Sequence, residues 1–239
     1  FNYLGTFTCN RHVLLLTPEG GKIVKTPDFK SGQNVISRTG SVFMNITGKS
    51  SMRLSTFYGG YNFDAASGMF SLQSEQGMKR DLYSFLDYHD FSVESAEFTE
   101  EKTENPSCVF KFTTEINSLG TKQRDRIYFT PTVVKEDYLP GDTLTLQIKN
   151  SDIDLDSIVY YLPEGYKILS KPADYSAKNE YGNYSYSLRN EPGKIIFIRR
   201  LSFNRGTVPA DRYIYFRKFW NDIAKTDRGI IVLEKIVNS

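Results

Sequence analysis

Cysteine, histidine and long apolar runs are scarce in this sequence, and each scarcity excludes a class of protein. Two Cys and two His are scattered along 239 residues, whereas a structural zinc site draws about four such ligands, often in close pairs. No apolar run approaches the roughly 18 residues of a membrane-spanning helix. Thirty basic residues face 28 acidic ones, a net charge of +2, which argues against a dedicated nucleic-acid or membrane-surface binder.

Aromatic residues are abundant and indicate a fold rich in strands. The chain has 16 Tyr and 17 Phe, and both residue types favour β-structure. Short alternating segments such as SVFMNIT, SCVFKFTTEI and KIIFIRRLSF are separated by turn sequences such as LPEGY and NEPGK. This spacing predicts a mainly β fold, an antiparallel β-sandwich or roll.

Two helices interrupt the strand pattern. Ser74 can cap a helix over about 74–87, in which Met78 and Leu82 share one face. The second helix is predicted over 209–226, with Pro209 at its start and Gly229 beyond its end. Its apolar stripe predicts a helix that covers a sheet, and it comprises Tyr213, Phe216, Trp220 and Ile223.

Cys9 and His12 are the nearest approach to a catalytic pair. Their segment looks extended, and side chains three apart in a strand point to opposite faces. A nucleophilic Cys needs a base beside it in space, so this pair is not expected to be an active site. Cys9 and Cys108 are expected to be free thiols, although a disulfide between them is left open because sequence cannot fix their separation.

SDIDLDS resembles the start of a calcium-binding loop. Asp152, Asp154 and Asp156 match the first three ligand positions, but Ser157 replaces the Gly of the sixth position and Pro163 the Glu of the twelfth. Alternation favours a strand with one polar face instead. His89 is expected to be a surface or capping residue, so no metal or cofactor is predicted.

Two further groups of residues invite a binding hypothesis. Seven tyrosines could form a sugar-binding platform, but their alternation is equally typical of sheet packing: Tyr160, Tyr161, Tyr166, Tyr175, Tyr181, Tyr184 and Tyr186. Arg199, Arg200 and Arg205 lie in IRRLSFNRG. In a chain of balanced charge they favour a solvated strand end over a phosphate site.

The segment 158–233 resembles a known module. Its marks are the LPEGY turn, the strand NYSYSL, the arginine-bearing strand KIIFIRRLSF, the helix VPADRYIYFRKFWNDIAK and a short closing strand. Together they resemble the C-terminal β-rich module of bacterial transglutaminase-like proteins with a papain-like catalytic domain. The start of the chain resembles the segment that follows the catalytic domain in this family; its sequence is FNYLGTF…RHVLLLTPEGGKIVKTP. The resemblance covers most of the chain.

The resemblance implies a function and a location. The family's catalytic Cys and His would precede this chain and its Asp would lie just before Phe1, so residues 1–30 are expected to be a linker from an upstream catalytic domain. Residues 31–239 would be a β-sandwich-like module, with a division near 136 left open. We expect a non-catalytic accessory domain, in the periplasm or at the cell surface, that packs against or positions the catalytic domain. The alternative is an independent glycan- or protein-binding module.

Overall fold

The fold is described from a computed structural model over residues 5–30, 32–134 and 145–236. The domain division considered near residue 136 lies outside these described residues. Residues 5–30 begin with a short 3-10 helix at Thr6–Thr8 and continue into a β-hairpin. The rest of the described chain forms two larger sheets, three helices and a two-stranded ribbon.

The described residues form sixteen strands and three α-helices. The first eight strands are β1 (His12–Thr17), β2 (Gly20–Lys25), β3 (Val35–Met44), β4 (Ser50–Gly59), β5 (Phe91–Glu101), β6 (Ser107–Ile116), β7 (Thr121–Gln123) and β8 (Arg126–Phe129). The others are β9 (Thr145–Ile148), β10 (Ile153–Tyr161), β11 (Tyr166–Ser170), β12 (Tyr175–Asn179), β13 (Gly182–Glu191), β14 (Lys194–Phe203), β15 (Gly206–Pro209) and β16 (Ile231–Lys235). The helices are α1 (Tyr61–Phe70), α2 (Glu75–Phe85) and α3 (Tyr213–Asp227).

An eight-stranded sheet organises the fold and confirms the mainly β class. Its strand order is β12-β13-β14-β10-β3-β4-β6-β5. Neighbouring strands are antiparallel except at the centre, where β3 and β10 run parallel with Arg38 opposite Asp156. The sequence did not predict this parallel pair, which joins two strands separated by more than 100 residues.

A second, four-stranded sheet packs on one face of the large one. Its order is β11-β16-β8-β7. Phe129 of β8 meets Tyr160 of β10 with ring centroids 5.3 Å apart, and the Tyr160 hydroxyl donates to the Pro131 carbonyl at 2.6 Å. Both rings are buried, so the two sheets enclose a common core as a sandwich does.

Both predicted helices are present, and a third was missed. The Ser74 hydroxyl accepts a hydrogen bond from Gly77 N at 3.2 Å and caps α2, as expected. Helix α1 follows β4 directly and has no side-chain cap at Gly60. Its sequence YNFDAASGMF contains several weak helix formers, and burial of Phe63 and Phe70 holds it on the sheet instead.

Helix α3 covers β13 and β15 through most of its predicted stripe. Tyr213, Phe216 and Ile223 are buried. Trp220 is only half-buried and stacks on Phe203 with centroids 5.5 Å apart, while Phe219 takes the buried place beside it. Among the described residues, no helix combines the length and apolarity needed to cross a membrane.

Candidate functional site

The β1–β2 hairpin carries several large apolar side chains that are exposed. Leu14 pairs with Ile23 across the two strands, so their side chains share a face with Leu16. These three residues are 63%, 73% and 78% exposed, in the order Leu14, Ile23 and Leu16. The two strands pair with each other and, within the described residues, with no third strand. A two-stranded hairpin is marginally stable alone in water, so this apolar face is suited to contact with another surface.

Asp28 fixes the base of the hairpin to the rest of the molecule. Its carboxylate accepts hydrogen bonds from the Tyr61 hydroxyl at 2.7 Å and from Arg205 Nη1 at 2.9 Å. Burial raises the pKa of Asp28, but the hydrogen bonds from Tyr61 and Arg205 outweigh burial and leave the pKa below its ordinary value. The Thr6 backbone N–H also donates a hydrogen bond to Asp64 Oδ2 at 2.6 Å. The hairpin therefore projects from an anchored base.

The structure does not bring Cys9 and His12 together. The Cys9 thiol is half-buried in the turn before β1 and faces the Gly5 carbonyl at 3.8 Å, whereas His12 is exposed on β1. Burial, and then the Asp28 carboxylate, raise the pKa of the Cys9 thiol. A thiol with a raised pKa is a weak nucleophile.

The other Cys and His lie elsewhere in the fold. Cys108 is a buried free thiol on β6, and burial raises its pKa to about 12. Cys9 is also a free thiol, so the two do not pair. His89 is exposed between α2 and β5. Within the described residues, no three His, Cys, Asp or Glu side chains are grouped closely enough to hold a metal ion.

Two of the three aspartates of SDIDLDS bind arginines. Asp154 and Asp156 lie on β10 and point to the core face of the sheet. Arg38 Nη2 donates to Asp154 Oδ2 at 3.0 Å and Nη1 to Asp156 Oδ1 at 2.9 Å, while a further close contact joins Arg38 Nη1 to Asp154 Oδ1. Because arginine occupies these carboxylates, the segment forms a strand with one polar face, as the alternation predicted.

Arg199 is buried, which overturns its interpretation as part of a solvated strand end. Its Nη1 lies 3.3 Å from Asp156 Oδ2, and its Nε lies 3.0 Å from both oxygens of Asp227. Tyr184 donates its hydroxyl to Asp227 at 2.5 Å. Arg200 points the other way and is exposed, and Arg205 binds Asp28. Of these three arginines, only Arg199 therefore forms buried ion pairs with aspartates.

The buried charged cluster comprises two guanidinium groups and three carboxylates: Arg38, Arg199, Asp154, Asp156 and Asp227. Burial raises the pKa of Asp156 and of Asp227 more than the neighbouring arginines lower it. Burial also raises the pKa of Asp154, but the interaction with Arg38 outweighs burial and leaves that pKa below its ordinary value. The five side chains come from β3, β10, β14 and α3, so their ion pairs cross-link these elements.

The seven tyrosines do not assemble into one surface platform. Five of them are buried: Tyr160, Tyr166, Tyr181, Tyr184 and Tyr186. Tyr161 and Tyr175 are exposed, on strands β10 and β12. Tyr161 stacks on Phe43 with centroids 4.6 Å apart. Sheet packing, the second interpretation of the alternation, explains most of this set.

The C-terminal part of the chain matches a known protein family. Residues 125–233 match a family described as a domain of unknown function with a solved structure, DUF3858. The match spans a little under half of the chain and includes the segment 158–233 that carried the sequence resemblance. The family description states no activity or ligand. No curated protein matches the chain.

Proposed function

We propose that the chain is a non-catalytic accessory domain of a secreted bacterial transglutaminase-like protein. In this proposal, the β1–β2 hairpin docks on the upstream transglutaminase-like domain of the same polypeptide and helps to position it. The chain itself contributes no nucleophile, and its location is periplasmic or at the cell surface, as the sequence resemblance implies.

One observation carries the proposal, the apolar face formed by Leu14, Leu16 and Ile23. A patch of large apolar side chains that projects into water is costly unless a partner covers it. This hairpin lies within residues 1–30, the segment whose sequence resembles the connection that follows a catalytic domain. An interface between domains of one chain is expected beside such a connection.

The geometry of Cys9 and His12 agrees with a non-catalytic role. A Cys-dependent enzyme needs a base within hydrogen-bond reach of a thiol with a lowered pKa. Here the pKa of the thiol is raised, and the nearby histidine is exposed on the hairpin. We therefore expect neither transamidase nor peptidase activity from this chain.

The first test examines the coding sequence upstream of Phe1 for Cys, His and Asp in the order of the transglutaminase-like family. The upstream segment is then produced separately, and its affinity for this chain is measured by titration calorimetry. Leu16→Asp should weaken binding at least tenfold, because it places a charge in the centre of the proposed interface.

Leu72→Asp provides the matched control, since Leu72 is 98% exposed on the turn between α1 and α2. It should bind as the unaltered chain does, and both variants should keep the same melting temperature. Absence of the three upstream residues would contradict the proposal, as would equal binding by the Leu16 and Leu72 variants.

A further inference from the structure

A second surface lies beside the hairpin base and is independent of the proposed docking face. It is a cleft of about 520 Å³ between residues 6–11, the segment from Gln147 to Asn150 and the start of β15. This volume falls within the range of about 300–1,000 Å³ typical of small-ligand sites. Tyr61 is one of its lining residues, and the Tyr61 hydroxyl is held by its hydrogen bond to Asp28.

The cleft is cationic. Arg11, Lys149 and Arg205 line it, and none of its described lining residues is acidic. Arg11 and Lys149 form no ion pair with another described residue. Arg205 is fixed at the rim of the cleft by Asp28, which binds its Nη1. Two uncompensated cations and one positioned guanidinium favour a ligand that carries negative charge.

Three side-chain amides in the same cleft narrow the class of ligand. Asn10, Gln147 and Asn150 line it, and their side-chain amides form no hydrogen bond with another described residue. Each amide both donates and accepts. A phosphate offers acceptors alone at its ionised oxygens, whereas sugar hydroxyls donate and accept. The combination of cations with amides therefore fits a ligand that carries carboxylates and hydroxyls together.

The turn that builds the cleft has an uncommon backbone conformation. Asn10 adopts φ 57°, in the left-handed region, which Asn tolerates better than most other residues. Its backbone N–H donates to the Pro27 carbonyl at 3.0 Å. These features fix the turn that carries Asn10 and Arg11 against the segment that holds Asp28.

We propose that this cleft binds an acidic oligosaccharide. The sugar carboxylates would bind Arg11 and Lys149, the hydroxyl groups would bind the three amides, and the Tyr61 ring would contact an apolar sugar face. This inference does not depend on the hairpin docking to a catalytic domain, because the two surfaces use different residues.

Titration calorimetry measures the binding of a galacturonic acid trisaccharide, the probe, to the full chain. We expect binding that weakens as salt is raised, since screening acts on exposed charges. Maltotriose, a neutral trisaccharide, should bind at least tenfold more weakly. The double variant Arg11→Gln with Lys149→Gln should also lose at least tenfold in affinity for the acidic probe.

Lys178→Gln is the matched control, because Lys178 is an exposed lysine on β12, away from the cleft. It should leave affinity unchanged, and all variants should melt at the same temperature. Equal binding of the neutral trisaccharide would overturn the proposal, as would unchanged binding by the double variant. Binding of tripolyphosphate without binding of the acidic trisaccharide would also overturn it, because the amides would then play no part.

Discussion

Arg199 binds Asp227 through its Nε, which lies 3.0 Å from each of the two carboxylate oxygens. Arg199 is on the interior strand β14 and Asp227 is the last residue of α3. The pair therefore joins the C-terminal end of the helix to the sheet that the helix covers. Both side chains are almost completely buried, so neither charge can be compensated by water.

Removal of Arg199 should strongly destabilise the fold. Arg199→Met leaves Asp156 and Asp227 as buried carboxylates that have lost a guanidinium partner, and such a loss costs about 3–5 kcal/mol. Arg200→Met is the matched control, since Arg200 is exposed on the opposite face of the same strand. It should change the free energy of unfolding by less than about 0.5 kcal/mol. Urea unfolding of both variants measures the difference, and equal midpoints would show that the buried cluster is not a cross-link.

Substitutions on the buried and exposed faces of α3 should differ in the same way in their effect on the free energy of unfolding. Phe216 is buried and Ile214 is 62% exposed. Phe216→Ala should cost about 3–5 kcal/mol, the usual range for deleting a core aromatic, whereas Ile214→Ala should cost little. Trp220 is the sole tryptophan and is half-buried against Phe203, so its fluorescence reports unfolding directly. A large loss of stability in the Ile214 variant would contradict the orientation of the helix.

Alkaline pH should unfold the protein through its buried tyrosines. Burial is the largest cause of the raised pKa of Tyr88, Tyr160, Tyr184 and Tyr186. An unfolded chain releases these protons near pH 10, so the folded state binds more protons above that pH. The free energy of unfolding must then fall as pH rises above about 10, by about 1.4 kcal/mol per pH unit for each such phenol.

Phenolate absorbance during a pH titration measures this behaviour. The four buried tyrosines should titrate together with loss of the folded circular dichroism signal. In urea all tyrosines should titrate in one phase, which provides the control. Complete titration near pH 10 without unfolding would show that these phenols are accessible in the folded protein.

Period-two patterns predicted the strands well, and they also contained the signal for the buried cluster. Ile195, Phe197, Arg199 and Leu201 alternate along β14, and this places Arg199 on the core face. Along β10, every second residue likewise faces the core, and these residues are Asp154, Asp156, Ile158 and Tyr160. Opposite charges at inward positions of two strands indicate a buried ion pair, but sequence alone does not show that the two strands are neighbours.

Helix α1 and the interaction surfaces could not be predicted in the same way. Helix α1 depends on tertiary burial of Phe63 and Phe70 rather than on local propensity. The cleft is lined by residues 6–11 and by the start of β15, which are distant in sequence. The hairpin could be anticipated from its turn TPEGGK, but its exposure follows from the absence of another strand beside it in the described fold.

The parallel pairing of β3 with β10 also has a consequence for folding during synthesis. Arg38 and Asp156 are 118 residues apart, and at about 5–20 residues per second the ribosome needs roughly 6–24 s to make that interval. During that interval the edge of β3 that will pair with β10 is open, and such an edge can pair wrongly. The Arg38 guanidinium meanwhile lacks the two carboxylates that will enclose it. The edge of β3 therefore stays open until β10 has been made, and β12, β13 and β14 can join the sheet only after that.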